Sequence, residues 1–185
     1  MTRRLPSIAL ALCALGVAGQ AHAQQYAPPP PGPAVATNGV DRPGGIVGVI
    51  LGVGAKTGYG FGLGAEGGYS FPFHLYVGGN FTYFTGSSGV SAYLFEPQVG
   101  YDLAVIPNVP VLIRPYVGIG YEGISVSNCP FGACGGGSGI ITPGVLGAYF
   151  FTPNFYAGLD LRFDIATASY GSAVFDIFAT GGYKF

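Results

Sequence analysis

The chain has 185 residues, of which 49% are apolar and only 8% charged; 34 are glycine, and the formal net charge is −1. A small soluble domain usually carries about 25–35% charge on its surface, so this composition argues against a water-facing globule. With no basic patch it also argues against nucleic acid as a partner.

The length allows one domain with a leader and a tail. Arg3 and Arg4 form a short basic start, Leu5 to Gly19 is almost wholly apolar, and Ala21-His22-Ala23 supplies the small-x-small cleavage pattern of a secretory signal. The apolar stretch is shorter than the about 20 residues of a membrane helix. Residues 1–23 are therefore expected to be a signal peptide, with a mature chain starting near Gln24. Cleavage removes Arg3, Arg4 and Cys13. It leaves five basic residues (Arg42, Lys56, Arg114, Arg162, Lys184) against eight acidic ones, a formal charge of about −3.

Residues 24–44 are a different material. Pro28, Pro29, Pro30, Pro31 and Pro33 are followed by Asn38, Gly39 and Asp41. The stretch leans toward polyproline II, and a disordered periplasmic lead-in is expected there. A spacer is the simple reading; a binding motif for cell-wall polymer or a partner is the other.

From Gly45 to Phe185 the chain is a series of glycine-rich segments in which apolar and small or polar residues alternate. No apolar run here approaches the roughly 18 residues of a membrane helix. Eight strands are expected, over 46–55, 59–71, 74–85, 91–104, 111–126, 139–151, 155–167 and 172–185. Most reach the 9–11 tilted residues that cross a hydrocarbon layer. In the second, Tyr59, Phe61, Leu63, Ala65, Gly67, Tyr69 and Phe71 share one face, while Gly60, Gly62, Gly64, Glu66, Gly68 and Ser70 share the other. The seventh sets Phe155, Ala157, Leu159, Leu161, Phe163 and Ile165 against Tyr156, Gly158, Asp160, Arg162, Asp164 and Ala166. In the last, Phe178 breaks the polar face and is expected to fill interior volume. Ile50 and Leu146 break it in the first and sixth.

A soluble barrel would put the aromatic face inside and leave an outer wall of glycine with few charges, too poor for solubility. The inverted arrangement puts the aromatic face against lipid. Each Phe or Leu so removed from water gains roughly 1.5–3 kcal/mol, and a closed sheet keeps every backbone amide paired. The expected fold is thus all-β: an eight-stranded antiparallel up-and-down transmembrane β-barrel over 45–185.

Parity sends seven of the eight acidic residues inward: Glu66, Glu96, Asp102, Glu122, Asp160, Asp164 and Asp176, with Arg114, Arg162 and Lys184 beside them. A lumen this narrow is filled by side chains, so salt-bridged clusters centred on Arg114 and Arg162 are expected. The connections alternate too. Those at Pro72-Phe73, Pro107 to Pro110 and Thr152 to Asn154 hold proline or asparagine turn formers, whereas those at Thr57-Gly58, Gly86 to Gly89, Ser127 to Ser138 and Ser169 to Gly171 are rich in Gly and Ser. Short periplasmic turns and external loops fit that order, with both termini in the periplasm. Tyr69, Phe71, Phe73, Phe151 and Phe155 are expected to form an interfacial belt at one rim.

The segment from Val174 to Phe185 resembles the closing strand of outer-membrane β-barrels of the OmpA/OmpX-like superfamily. In that family the last residue is typically phenylalanine, with aromatic or apolar residues at alternate positions before it. The resemblance implies that Phe185, Tyr183 and Ile177 form the signal read by the outer-membrane assembly machinery, although Ala179 and Gly181 are small for it. No peptidoglycan-binding domain follows the barrel, so a wall-anchoring role is not implied.

Little chemistry is legible. Cys129 and Cys134 stand in one loop of an exported chain and read as a disulfide, worth about 2 kcal/mol of constraint on the unfolded chain. A metal site lacks a nearby His or second Cys pair. His74 lies by a turn on the side away from the Gly/Ser loops, so their serines have no histidine to activate them. Arg162 between Asp160 and Asp164 reads as a structural bridge rather than a paired-acid site. The sequence is therefore expected to encode no enzyme and no cofactor or metal site. A monomeric barrel among outer-membrane lipids is expected, structural or surface-interacting, with the 127–138 loop as a candidate ligand site. A narrow pore is the alternative, and a lipid-modifying enzyme a more remote one.

Overall fold

A computed structural model describes residues 39–55, 60–86, 89–106, 109–127, 134–167 and 173–185. The expected signal peptide and most of the lead-in lie outside these residues, as do Cys129 and much of the connections at 56–59, 87–88, 107–108, 128–133 and 168–172.

Nine strands follow in chain order: β1 (Gly44–Gly54), β2 (Phe61–Ser70), β3 (Leu75–Thr85), β4 (Val90–Tyr101), β5 (Leu103–Ala104), β6 (Val111–Val126), β7 (Cys134–Phe150), β8 (Phe155–Ala166) and β9 (Ala173–Lys184). Each pairs antiparallel with its neighbours, β4 and β5 both pair with β6, and β1 pairs with β9. β5 continues β4 past Asp102, so the ring holds eight staves and is closed. Main-chain bonds between Gly45 and Phe185, at 3.0 and 2.9 Å, finish the seam.

Alternation governs the wall. Phe61, Leu63, Phe81, Phe95, Ile119, Leu159 and Phe163 are exposed on its outside. Ile50, Tyr76, Phe84, Tyr116, Leu146, Tyr156 and Phe178 are buried on its inside, with Glu66, Glu96, Asp102, Arg114, Glu122, Asp160, Arg162, Asp164, Asp176 and Lys184 on the inner parity. A surface so apolar is stable only against hydrocarbon, where a closed sheet leaves no backbone group unpaired at an edge. At the rim where Gly44 meets Phe185, here the lower rim, aromatic rings touch in series. Tyr69–Phe71 lie 5.0 Å apart, Phe71–Phe73 5.4 Å and Phe155–Tyr183 4.9 Å.

Three boundaries differ from expectation. The stave expected over 91–104 breaks at Asp102, whose amide bonds to the His74 carbonyl at 2.7 Å, and His74 itself adopts a left-handed φ of 66°. The sixth stave begins at Cys134 rather than 139, so much of the expected 127–138 loop is strand. The end of the expected lead-in is also built into the barrel: Gly39 and Val40 are buried, and Val40 packs in the lower core with Ile46, Tyr76 and Phe150.

Candidate functional site

The lumen is organised in layers. Nearest the lower rim, Arg114 forks onto Asp102, with Nε at 2.5 Å from Oδ1 and Nη2 at 3.2 Å from Oδ2. The Ser70 hydroxyl donates to Asp102 at 2.6 Å, and the Arg114 guanidinium lies 3.6 Å from the centre of the Tyr76 ring. This is a charge-assisted, two-pronged pair with a cation–π floor. Lys184, fully buried, points its Nζ at the Val40 carbonyl, 3.4 Å away. The chain's own lower segment therefore occupies the mouth.

Above it, two carboxylates are held by phenols. Tyr116 donates to Asp160, with its hydroxyl 2.8 and 3.0 Å from the two oxygens. Tyr156 donates to Glu66 at 2.7 Å, and the Thr180 hydroxyl donates to the same oxygen.

The next layer centres on Arg162, which is completely buried and lies 4.0 Å over the Phe178 ring. Its Nε is 3.9 Å from Asp176 Oδ2, and its hydrogen bond goes instead to Thr82, at 3.3 Å. Gln98 donates to Glu96 at 2.7 Å, and Thr142 to Asp164 at 2.9 Å. Glu96 Oε2, both Asp176 oxygens, and Arg162 Nε and Nη1 make no hydrogen bond here. Beside these groups Ile50, Phe84, Ala92, Leu94, Ile140 and Phe178 form an apolar plug.

The ten expected interior charges thus lie inside, but not as expected around Arg162. A forked cluster forms at Arg114. Asp160 and Asp164, which flank Arg162 on the same strand face, bond to Tyr116 and Thr142 instead. Arg162 itself reaches across the lumen to Thr82 and lies over the Phe178 ring. Sequence reasoning missed the tyrosine–carboxylate pairs and Val40. Three inward tyrosines beside an excess of acid were the available signal for the first.

Ile177, Tyr183 and Phe185 all point outward. Cys134 opens β7 and is engaged in a disulfide, while Cys129 lies outside the described residues. Among the described residues, no three His, Cys, Asp or Glu side chains converge as a metal site. His74 sits in the lower turn with its ring 6.0 Å from that of Tyr101.

A closed ring of eight antiparallel staves, oily outside and charged within, defines an eight-stranded up-and-down β-barrel of the transmembrane kind. No protein-family model matches the chain, and no curated protein does. Solved structures do. The N-terminal β-barrel domain of Pseudomonas aeruginosa OprF matches with a TM-score of 0.62 at 16% identity, over 78% of this chain and 100% of that one. Neisserial surface protein A matches with 0.62 at 14%, over 77% and 97%. Ail, the attachment invasion locus protein of Yersinia pestis, matches with 0.51 at 17%, again over 77% and 97%. At such identities the likeness is one of fold.

Proposed function

We propose that this chain is a monomeric outer-membrane barrel with a structural or surface-interaction role in the envelope, both termini lying in the periplasm. One observation carries the reading: the lumen is filled at mid-height, where Arg162 and Phe178 are 0% exposed and Phe84 1%. A filled lumen favours a scaffold whose working surface is its rim and loops over a conduit for solutes. The similarity in fold to a surface protein and to an attachment invasion locus protein points the same way.

In this reading the wall is bathed by outer-membrane lipids. Ile177, Tyr183 and Phe185 serve the assembly machinery, and a Cys129–Cys134 bridge holds the tip between β6 and β7. No catalytic role is assigned, because His74 sits at the rim opposite that tip.

The test joins two measurements. The protein should fractionate with outer membranes and migrate faster unheated than boiled, because a closed sheet resists detergent until heated. In planar bilayers it should be silent. Discrete, reproducible conductance steps would replace this reading with the narrow-pore one, and a soluble, heat-insensitive protein would remove the barrel from the membrane altogether.

A further inference from the structure

The outer wall is indented where β1, β9 and β8 meet. Just above the aromatic series of the lower rim lies a groove of about 710 Å³, within the about 300–1,000 Å³ of pockets that hold small molecules. Two other grooves in the outer wall hold about 440 and 350 Å³. Register sets the lining of the largest in two rows. Val47, Tyr183 and Phe155 stand side by side at its lower end, with Val49, Gly181 and Ala157 above them.

The indentation comes from β9. Its outward residues are large toward both ends, at Phe175, Ile177 and Tyr183, and small between, at Ala179 and Gly181. The lumen does not demand this. A Cβ added at the inward Gly182 would lie 2.4 Å from the Val47 carbonyl oxygen and 2.6 Å from the Tyr156 hydroxyl, so glycine is needed there. A Cβ at Gly181 would meet only the Tyr156 carbonyl oxygen, at an ordinary 3.6 Å, and the φ of Gly181 is not positive. Neither packing nor backbone calls for glycine at 181. What it leaves is room on the lipid side.

We propose that this groove seats one acyl chain of a phospholipid from the leaflet at the lower rim, held longer than the lipids around the rest of the wall. The proposal rests on the membrane placement in the reading above and gives that barrel a fixed lipid. The occupant follows from continuity, since the groove is part of the face that meets hydrocarbon. Among the six lining side chains the Tyr183 hydroxyl is the one polar group. In hydrocarbon an apolar surface gains nothing by leaving water, so any preference must come from closer packing. A chain in the groove is touched from the floor and both sides, whereas one on the convex wall is touched from one side. β1 and β8 flank β9 at about 4.8 Å each, which makes the slot roughly 10 Å across, the breadth of a single chain. A second barrel is the poorer occupant, because its own convex wall would bridge the slot and rest on its lips.

The test places the protein in lipid discs, one barrel to a disc. A phospholipid with a nitroxide in the middle of one acyl chain is a minor component, and amide NMR signals are read for paramagnetic broadening. The amides of Val49, Ala157 and Gly181 should broaden about threefold or more beyond those of Val77 and Val145. These two are outward residues in the same half of the wall that line none of the three grooves. Gly181→Leu fills the groove from its floor and should bring the first set down to the level of the second. Gly147→Leu adds the same bulk to the outside of β7, where a Cβ would meet nothing closer than 3.6 Å, and should leave the contrast intact.

If Gly181→Leu loses its heat-dependent migration, Ala157→Leu fills the groove from β8 and decides in its place. Equal broadening around the wall of the unaltered protein would overturn the proposal, because the groove would then exchange lipid as freely as its surroundings. A contrast that survives leucine in the groove of a folded barrel would have the same force. Loss of the contrast when two barrels share a disc would give the groove to a second copy and overturn it too. A silent, heat-modifiable barrel with uniform broadening sinks this proposal and spares the scaffold reading, whereas conductance steps with the contrast intact sink only the scaffold reading.

Discussion

Arg114 and Arg162 occupy the same kind of position, an inward site on a barrel stave, and end in opposite conditions. Arg114 meets Asp102 with two nitrogens and rests on Tyr76. Arg162 lies over Phe178 with its nearest carboxylate oxygen at 3.9 Å and two of its nitrogens unbonded. The difference begins in the backbone. Asp102 sits at the break between β4 and β5, so its carboxylate is free to turn into the fork. Asp176 lies directly across the ladder from Arg162, yet the Arg162 guanidinium donates to neither Asp176 oxygen and reaches on to Thr82. Parity therefore places an inward charge, and the side chains that happen to converge on it decide how well it is satisfied.

The largest effects expected are those of removing either arginine. Arg114→Ala and Arg162→Ala should each lower unfolding stability by about 3–5 kcal/mol, since each leaves buried carboxylate uncompensated. Urea titration of the folded protein in micelles reads this directly. The two sites should part when both partners are replaced by apolar residues. Arg162→Met with Asp176→Leu should be neutral or stabilising by about 1–4 kcal/mol, because that pair lacks the bonds that offset its desolvation. Arg114→Met with Asp102→Leu should still cost about 1–3 kcal/mol, because the buried Ser70 hydroxyl loses both its acceptor on Asp102 and its donor on Arg114. Equal outcomes for the two double variants would erase the contrast.

A middle-sized effect tests the layer between them. Tyr116→Phe strips Asp160 of its phenol donor and should cost about 1–3 kcal/mol. Tyr156→Phe should cost less, because Glu66 keeps the Thr180 hydroxyl. The reverse order in the same titration would mean that Asp160 is better solvated than its burial implies.

How much of this was legible follows the same division. Strict alternation is literal in the sequence of β2 and β8, so the wall, its outward aromatics and the inward charges could be read without coordinates. Phe178, Ile50 and Leu146 broke the alternation and were correctly placed as interior filling. Partner choice was not legible. Tyr116 and Asp160 are 44 residues apart and Thr180 and Glu66 are 114 apart, so their meeting depends on register and stagger around a closed ring, which no local pattern encodes. The upper extension of β7 was missed for another reason. Glycine at 135, 136, 137 and 139 carries no alternation and reads as loop, yet pairing with β6 holds it extended.

The smallest expected effect concerns Val40, the one apolar residue between Asn38 and Pro43. A single valine in a polar, proline-rich stretch offers no period to detect, yet it closes the lower mouth beneath Tyr76 and Leu112. Val40→Ala removes two carbons from that contact and should cost about 1.5 kcal/mol at roughly 0.8 kcal/mol for each buried methylene. Lys184→Met removes the ammonium that faces the Val40 carbonyl and keeps a chain of similar length. If the segment is held by packing, Val40→Ala should exceed Lys184→Met in the same urea titration. If Lys184→Met is the more damaging, the mouth is closed by a charge reaching for a carbonyl, and Val40 merely fills the space that this contact leaves.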